Sequence, residues 1–459
     1  MSTPAAHPSP RPYQSYVYAY PHKTAYRPLD GDRPTLRRLW AHERKDALSL
    51  YAHIPFCEVR CGFCNLFTRI GAPDELTGRY LDALDRQAVA VRDALGDDAP
   101  VHFAAAAFGG GTPTFLTAQE LERLCDIAEK RMGADLGAVP LSVETSPATA
   151  TADRLAVLAG RGTTRISIGV QSFVDAEARA AVRPQRRAEV ESALGRIRDS
   201  RIPVLNIDLI YGIDGQTERT WLSSLDAALA WRPEELYLYP LYVRPLTGLG
   251  RLGEAAGGSV GDSARVTAGD AAWDEQRLRL YRAGRDHLLA HEYEQVSMRM
   301  FRRAGAPPAA ADACQTDGMI GLGCGARSYT SALHYSFDYA VDMREIRGII
   351  DGYTRSEDFS RAEVGRYVDA DEARRRHLLQ SLLQAQGMEV AGYRERFGAD
   401  PADHFRTELE RFAARGWLDS AAAPDRLRLT PEGLAHSDAL GPELFSPAVR
   451  AAMATYELK

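Results

Sequence analysis

The sequence predicts an α/β fold: a partial (β/α)6 barrel with an N-terminal arm and a C-terminal helical domain. Two observations lead to this prediction. From residue 48 onward, six apolar strand-like runs are each followed by a helical stretch, and parallel strands need such crossover helices. From about residue 370 the pattern becomes helical and ends in a short β-hairpin pattern, which is typical of a small winged-helix-like domain.

Changes in composition set the predicted domain boundaries. The arm, 1–47, is rich in Pro, Tyr and Arg, and the five tyrosines in "RPYQSYVYAYPHKTAYRP" need a surface to pack on. The barrel spans 48–335 and contains a Gly/Ser stretch, "GGSVGDSARVTAGD", before a helix at about 271–291. A linker, 336–369, and the C-terminal domain, 370–459, complete the chain.

Hydrophobic periodicity and capping residues indicate the barrel elements in order. Thr117 with Glu120 three residues later is typical of a helix start. The predicted strands are "LSLYAHI", "VHFAAAAF", "VPLSVET", "TRISIGV", "PVLNIDLIYG" and "ELYLYPLYV". The helical windows between them are "PDELTGRYLDALDRQAVAVRDAL", "TAQELERLCDIAEKRM", "ADRLAVLAGR", "AEVESALGRIRDS" and "TERTWLSSLDAALAW". Loops after the strand ends build the active site in such folds.

Charge and hydropathy exclude several classes of protein. The net charge of −6 offers no global basic field for nucleic acid. We find no apolar run of about 18 residues and no apolar signal-peptide core in "MSTPAAHPSPRPYQ". We therefore expect a cytoplasmic monomer that binds neither nucleic acid nor membrane.

The stretch "YAHIPFCEVRCGFCNLF" holds three of the six cysteines, Cys57, Cys61 and Cys64, directly after the first barrel strand. In a reducing compartment such a cluster favours metal binding over disulfides. Three thiolates can hold three corners of a cubane iron–sulfur cluster and leave the fourth iron open. The alternatives are a zinc site completed by His53, or buried cysteines without metal. Cys125, on the apolar face of a predicted helix, is expected to belong to the core. Cys314 and Cys324 flank a glycine-rich turn; we expect them to serve packing, and the alternative is that they line the site.

The cysteine spacing, with Phe63 just before the last cysteine, resembles the radical S-adenosylmethionine (SAM) superfamily. The blocks "YAHIPFCEVRCGFC", "FGGGTPTFL", "RISIGVQSF" and "NIDLIYGIDGQT" resemble its coproporphyrinogen III dehydrogenase-like (HemN-like) branch. The resemblance implies one [4Fe-4S] cluster on the three cysteines, whose open iron chelates SAM. One electron from a reductant such as flavodoxin or ferredoxin then cleaves SAM to methionine and a 5′-deoxyadenosyl radical.

The resemblance also implies residues at the first SAM. Tyr51 and Glu144 match its catalytic positions, and Gly110 is a further contact. Phe63 matches a cofactor-binding position of the family. The alternatives are a core aromatic for Tyr51, a solvated carboxylate for Glu144 and a plain tight turn for the glycines.

For a second SAM the resemblance implies Gln171, Arg183 and Asp208, with Gly111 and Thr112 facing it. An unpaired carboxylate in an apolar strand is costly, so Asp208 needs a buried partner. The structural alternative is an Asp208–Arg183 ion pair. Two further second-SAM positions fall on Tyr242 and Arg327, which are bulkier than the residues of the family.

Other departures concern the substrate. Asn65, Leu66 and Phe67 stand where the dehydrogenase has a further cysteine, and Arg299 and Met300 replace an acidic and a histidine position. Our leading hypothesis is therefore a methyltransferase or cyclopropanase that modifies a small molecule or peptide and uses the second SAM as methyl or methylene donor. The alternatives are a coproporphyrinogen III dehydrogenase-like oxidative decarboxylase and a haem chaperone of the HemW type, although the 45-residue arm counts against the latter.

Overall fold

The structure is a computed structural model that describes residues 11–17, 19–29, 31, 33–96, 100–255, 270–307, 314–423 and 425–459. The strands are, in chain order, β1 Arg27–Pro28, β2 Leu48–Ile54, β3 Phe103–Gly110, β4 Leu141–Thr145, β5 Thr163–Gln171, β6 Val204–Tyr211, β7 Glu235–Pro240, β8 Tyr293–Gln295, β9 Met300–Arg303, β10 Met319–Leu322, β11 Arg327–Tyr329, β12 Leu333–Ser336, β13 Val364–Tyr367, β14 Met388–Glu389 and β15 Arg426–Leu427.

Helices connect most of these strands. The α-helices are α1 Leu36–Trp40, α2 Asp74–Leu95, α3 Ala118–Asp126, α4 Ala152–Gly160, α5 Asp175–Ala180, α6 Arg187–Asp199, α7 Glu218–Leu229, α8 Gly248–Ala255, α9 Ala271–Ala290, α10 Cys314–Asp317, α11 Met343–Arg355, α12 Ala370–Leu382, α13 Val390–Phe397, α14 Pro401–Ala414, α15 Pro431–Ala435, α16 Ser437–Glu443 and α17 Pro447–Ala454. Short 3-10 helices lie at Lys23–Ala25 and Pro113–Phe115, and a π-helix at Ile127–Arg131 continues α3. At the start of α3, Thr117 and Glu120 form the expected capping box.

The chain divides into two compact units, each assembled from remote segments. One, which we call the sheet unit, contains the described residues of 26–268, 305–368 and 456–459. The other, the C-terminal unit, contains those of 1–25, 269–304 and 369–455. The first half of the predicted arm therefore belongs to the C-terminal unit, and so does the predicted helix at 271–291, which is α9.

A parallel sheet forms the centre of the sheet unit. Strands β2, β3, β4, β5, β6 and β7 lie side by side in chain order, and each pairs in parallel with the next. This is the predicted partial (β/α)6 barrel. Strand β10 adds a parallel neighbour to β2, and β11, β12, β13 and β1 continue the sheet with antiparallel pairing.

The register of the parallel strands separates a polar face from an apolar one. On one face lie buried residues such as Leu50, Val143 and Ile168, which suit the helix-covered outside of a barrel. The residues that point the opposite way form what we call the polar face. They are Ser49, Tyr51, His53, Ala105, Ala107, Gly109, Ser142, Glu144, Arg165, Ser167, Gly169, Asn206, Asp208, Ile210, Glu235, Tyr237 and Tyr239. Polar chemistry is thus concentrated in the barrel interior.

The predicted linker, 336–369, contains regular structure. It includes α11, and β13 pairs with β12 at the end of the sheet. The Gly/Ser stretch at 257–270 lies, except for Asp270, outside the described residues. Within the described part of the chain, no helix is long and apolar enough to cross a membrane.

The C-terminal unit has its own hydrophobic core, to which the arm contributes. Tyr20 is 1% exposed and packs in a cluster with residues such as Leu379, Phe405 and Leu440. Its hydroxyl donates to Glu372, and the backbone N–H of Ser446 donates back to it at 3.0 Å. Tyr20 of the arm thus finds a packing surface of the kind that the composition requires.

Candidate active site

The three cysteines lie in the loop that follows β2. Cys57 N donates to Arg69 O at 3.1 Å, and Cys64 N donates to Cys61 O at 3.0 Å, so the loop is held at both ends and across its turn. All six cysteines of the chain are free of disulfides. The structure therefore keeps Cys57, Cys61 and Cys64 as three available thiols in one loop.

Each of the three thiols has a polar neighbour. The Sγ of Cys57 lies 3.3 Å from Thr112 Oγ1, and the Sγ of Cys64 lies 3.8 Å from Thr68 Oγ1. Arg183 Nη1 donates to the Sγ of Cys61 at 3.0 Å. Thr112 and Arg183, which the family resemblance places at a second SAM, thus also contact sulfurs of the cysteine loop.

Burial raises the pKa of two of these thiols. The pKa of Cys57 rises to about 12, in spite of the hydrogen bond with Thr112, and the charges of Cys64 and Cys61 contribute to the rise. Burial, followed by the charge of Cys61, also raises the pKa of Cys64. Negative charge on one thiolate of the loop thus opposes the ionisation of the next. A positively charged centre between them would remove this penalty.

The glycine turn after β3 closes against β2. Gly110 has φ +112°, and a Cβ on it would lie 2.5 Å from the ring of His53. Gly111 N donates to Ile54 O at 2.8 Å, and Thr112 N donates to Phe56 O at 2.8 Å. Only glycine fits at position 110 without displacing the ring of His53.

Glu144 and Tyr51 lie on either side of Gly109. A Cβ on Gly109 would be 3.0 Å from Glu144 Oε1 and 3.1 Å from the Tyr51 hydroxyl. Glu144 Oε2 accepts a hydrogen bond from Gly110 N at 3.0 Å. Glu144 is exposed to solvent, although the protein atoms around its carboxylate desolvate it in part. This desolvation raises the pKa of Glu144 to about 7, against the opposing effect of the Gly110 hydrogen bond.

His53 does not have a free ring nitrogen for a metal. Its Nε2 lies 3.0 Å from Phe67 O, and its Nδ1 lies 3.3 Å from the Tyr51 hydroxyl. A zinc site completed by His53 would have to break these contacts. The three cysteines remain as the ligand set of this loop.

Asp208 has buried hydrogen-bond partners on the polar face. Asn206 Nδ2 donates to Oδ1 at 2.7 Å, and Ser167 Oγ donates to Oδ2 at 3.3 Å. Desolvation raises the pKa of Asp208, while these two donors and the charges of Arg165 and Arg183 oppose the rise.

The Asp208–Arg183 ion pair that we considered is not formed. Arg183 instead donates to Cys61, to Gly169 O at 2.6 Å and to Gln185 Oε1 at 2.5 Å. These three hydrogen bonds orient the guanidinium toward the cysteine loop and the end of β5.

Gln171 lies at the end of β5, beside a register shift. Its φ is +69°, which is an uncommon conformation for a residue with a side chain. A Cβ on Gly169 would lie 2.7 Å from Gln171 Nε2, so the amide lies over Gly169. Within the described part of the chain, this amide has no hydrogen-bond partner, although the residue is only 8% exposed.

Comparison with known proteins assigns the family. Residues 51–228 match the model described as Radical SAM superfamily, and residues 368–436 match that of the HemN C-terminal domain. The chain belongs to the radical SAM superfamily, in its HemN-like branch. This confirms the resemblance that the cysteine motif and the four sequence blocks indicated.

Relatives of this HemN-like chain have two different names. The heme chaperone HemW of Bacillus subtilis is 25% identical over 399 residues, which cover 86% of this chain and 98% of the relative. The oxygen-independent coproporphyrinogen III oxidase of Helicobacter pylori is 26% identical over 377 residues, 79% of this chain and 78% of the relative. The structure of coproporphyrinogen III oxidase (HemN) from Escherichia coli matches with a TM-score of 0.74 at 22% identity, covering 96% and 98% of the two chains. That likeness confirms the fold.

The residues of the radical SAM domain fit the cofactors of the superfamily, a [4Fe-4S] cluster and SAM. The donor set consists of three free thiols in one loop, which suits an iron–sulfur cluster with one open iron. Beside it lie a glycine cradle and the carboxylate of Glu144. Such a carboxylate can accept hydrogen bonds from ribose hydroxyls.

The remaining candidates lie elsewhere on the fold. Phe63 is half-buried within the cysteine loop. Arg327 Nε donates to Tyr329 Oη at 3.1 Å on β11, and Tyr242 lies under the guanidinium of Arg244 at 4.4 Å. No contact of Gln171, Arg183 or Asp208 with described residues involves Tyr242 or Arg327. Their assignment to a second SAM stays a prediction.

Arg299 has a structural environment within the C-terminal unit. Its guanidinium pairs with Asp438 and lies 3.8 Å from the ring of Tyr16. Both charged side chains are buried, and neighbouring Met300 is 8% exposed. The departure at position 299 thus introduces a buried ion pair of this unit.

Sequence reasoning missed Arg165, which is central to the polar face. Its Nε donates to Glu235 at 2.7 Å and its Nη1 donates to Ser142 Oγ at 3.0 Å. Its charge opposes the rise in the pKa of both Glu144 and Asp208. A signal was present, because Arg165 and Ser167 alternate with apolar residues in "TRISIGV".

Proposed function

We propose that this radical SAM enzyme uses two SAM molecules and that the second donates a methyl or methylene group to a small-molecule or peptide substrate. The observation that carries the proposal is the amide of Gln171. The amide has no hydrogen-bond partner among the described residues, still reaches solvent and stands on a left-handed backbone. Strained residues cluster at ligand sites, and an amide without a protein partner can bind a polar ligand. A polar ligand beside Gly169 would supply the missing partner.

The residues around this amide suit a second nucleotide. Asp208 offers a carboxylate on the polar face, and Arg183 has five N–H groups, of which three are used. An amide, a carboxylate and a guanidinium together can pair with the hydroxyl, amino and carboxylate groups of SAM. We therefore assign the second SAM to Gln171, Arg183 and Asp208.

For the first SAM we assign the glycine turn with Glu144 and Tyr51. When bound, the cluster and SAM supply a one-electron cleavage of the C–S bond, with the electron from a flavodoxin or ferredoxin. The chain's own residues position and shield the ligand. Gly110 has no side chain and so leaves room for SAM to approach the backbone. Glu144 accepts hydrogen bonds from the ribose hydroxyls of SAM, and His53 orients the Tyr51 hydroxyl.

The cysteine loop favours methyl transfer over decarboxylation. Positions 65–67, where the dehydrogenase carries a further cysteine, hold Asn65, Leu66 and Phe67. The carbonyl of Asn65 accepts from the Tyr339 hydroxyl, and Phe67 is buried. No thiol is available at these positions to take part in an oxidation.

The names of the relatives favour a second candidate, the oxidative decarboxylation of a porphyrinogen. Two relatives named oxygen-independent coproporphyrinogen III oxidase, from Helicobacter pylori and Paracoccus denitrificans, are 26% and 30% identical over 377 and 295 residues. A third candidate function is that of a haem chaperone, as the name of the HemW relative suggests. Such a protein would bind haem without turning over a substrate.

Product analysis distinguishes these functions. We expect the anaerobically reconstituted chain to form 5′-deoxyadenosine, and S-adenosylhomocysteine in addition if the second SAM donates its methyl group. Formation of 5′-deoxyadenosine alone with a porphyrinogen would favour the decarboxylase. Tight haem binding without any SAM cleavage would favour the chaperone.

Two variants connect the products with the residues. Cys61→Ala should lose the brown absorbance and all SAM cleavage, because a cluster ligand is missing. Asp208→Asn should keep the iron content but lose most S-adenosylhomocysteine at a fixed SAM concentration. Asp214→Asn, at an exposed position just after β6, is the matched control. Unchanged S-adenosylhomocysteine in Asp208→Asn would eliminate the proposed second SAM site.

A further inference from the structure

Arg183 connects the end of β5 with the cysteine loop. Its Nη1 donates to Cys61 Sγ at 3.0 Å, and its Nη2 donates to Gly169 O at 2.6 Å. Its Nε donates to Gln185 Oε1 at 2.5 Å. All three nitrogens of the guanidinium are therefore engaged, and one of them reaches a sulfur of the cysteine loop.

The surrounding structure holds this guanidinium in place. Gln185, which orients it, is 9% exposed, and its own Nε2 donates to Val170 O. The loop side is anchored as well, since Gly62 N donates to Ala181 O at 3.1 Å. A planar fork with several fixed acceptors keeps its orientation better than a flexible ammonium would.

The contact distinguishes Cys61 from the other two cysteines of the loop. Cys57 and Cys64 have threonine hydroxyls as neighbours, whereas Cys61 has a permanent cation. Hydrogen bonds to the sulfurs and the charge around a cluster set its reduction potential. Reduction adds negative charge, so a cationic N–H donor at the sulfur stabilises the reduced form.

We infer that Arg183 is a positioning residue that raises the reduction potential of the cluster through its hydrogen bond to Cys61. The inference rests on the proposed function in one respect, namely that Cys61 holds the cluster. It goes beyond that function because it gives Arg183 a role in the absence of any second SAM. The two roles are compatible, since the guanidinium has two further N–H groups.

A redox titration of the full-length, anaerobically reconstituted chain tests the inference. Iron and sulfide are quantified first, and the midpoint potential is then read by electron paramagnetic resonance during stepwise addition of dithionite, without SAM or substrate. Arg183→Gln should lower the equilibrium constant for reduction by about tenfold, which is 59 mV for a one-electron couple. Arg183→Lys, which keeps the charge but not the fork, should fall between this variant and the wild type.

Arg179→Gln is the matched control, because Arg179 is an exposed arginine of α5 and its loss removes the same charge nearby. Its midpoint should equal that of the wild type. If Arg183→Gln fails to hold iron, Gln185→Met carries the test, since it leaves the guanidinium but removes its orienting acceptor and should lower the midpoint by a smaller amount.

The outcomes separate this inference from the proposed function. A wild-type chain that assembles no four-iron cluster overturns both. A wild type with a cluster, together with an iron-replete Arg183→Gln variant of unchanged midpoint, overturns only the role of Arg183. An equal shift in Arg179→Gln also overturns it, because the effect would then come from net charge alone.

Discussion

At the scale of single residues, the two carboxylates of the polar face differ in how many hydrogen-bond donors they have. Glu144 accepts one hydrogen bond, from Gly110 N, and is partly desolvated, whereas Asp208 has two donors. Arg165 lies on β5, between the strand of Glu144 and the strand of Asp208, and forms an ion pair with Glu235. The interior therefore keeps one carboxylate well paired and leaves the other with a pKa near neutrality.

The raised pKa of Glu144 predicts a pH-dependent affinity for SAM. With a pKa of about 7, Glu144 is protonated at pH 6 and loses acceptor capacity, so the affinity should rise as the pH rises through 7. Glu144→Gln should weaken binding about tenfold at pH 8, as expected for a lost hydrogen bond to a charged group. Calorimetric titration of the reconstituted chain with SAM between pH 6 and 8 measures both effects.

The same shift has a consequence for stability. A carboxyl group whose folded-state pKa lies above its usual value of 4.5 contributes stability below pH 4.5 and loses it as the pH rises through 7. In Glu144→Gln this part of the pH dependence of the free energy of unfolding should disappear.

For the affinity prediction, a SAM affinity of the wild type that stays constant between pH 6 and 8 would show that Glu144 does not titrate in contact with SAM.

At the scale of elements, the strand ends and their turns could be predicted better than their contacts. Strand β2 has the predicted bounds, and the capping box correctly indicated the start of α3. The continuation of α3 as a π-helix has no signal in an amphipathic pattern. The contact of Ser167 with Asp208 could not be predicted, because it depends on the lateral register of β5 and β6, whereas Asn206 shares the face of Asp208 by alternation along β6.

The turn after β3 leads to a prediction for this element. Gly110→Ala forces a side chain into a positive φ and places its Cβ within 2.5 Å of His53, whose ring nitrogens are both in contact. We expect a loss of about 1–3 kcal/mol in the free energy of unfolding, by the usual cost of such strain, and a reduced iron content. Chemical denaturation and iron analysis measure the two effects.

Gly195→Ala provides the opposite case on α6. No atom lies within 4 Å of a Cβ built there, and the residue is inside a helix. This variant should gain roughly 0.5–1 kcal/mol, because alanine is the better helix former. If both alanine variants behaved alike, the close approach of Gly110 to β2 would not be a constraint on the fold.

At the scale of the whole molecule, local pattern predicts the barrel but not the grouping of remote segments. The alternation of strands and helices over 48–240 indicated six parallel strands in the right order. Nothing in "MIGL" or "VGRY" indicates that β10 joins β2 and that β13 extends the sheet. Likewise, the division that unites 269–304 with 369–455 depends on tertiary packing.

The arm offers the clearest test of that grouping. Tyr20 is 1% exposed in the core of the C-terminal unit, and its hydroxyl joins Glu372 and Ser446. Tyr20→Ala should therefore cost about 3–5 kcal/mol by cavity formation, in the range for large aromatic truncations. The loss of stability should be confined to the C-terminal unit, which contains Tyr20. In hydrogen exchange, α12 and α16 should lose protection while β2 to β6 keep theirs.

Gln14→Ala, at an exposed position six residues earlier, is the control and should change stability by less than about 0.5 kcal/mol. Tyr20→Phe separates the hydroxyl from the ring, because it keeps the packing but leaves Glu372 and the N–H of Ser446 without this partner, at about 1–3 kcal/mol. If Tyr20→Ala instead deprotected the parallel strands and spared α12, the arm would have to be assigned to the sheet unit, and the division of the chain at Ala25 would be wrong.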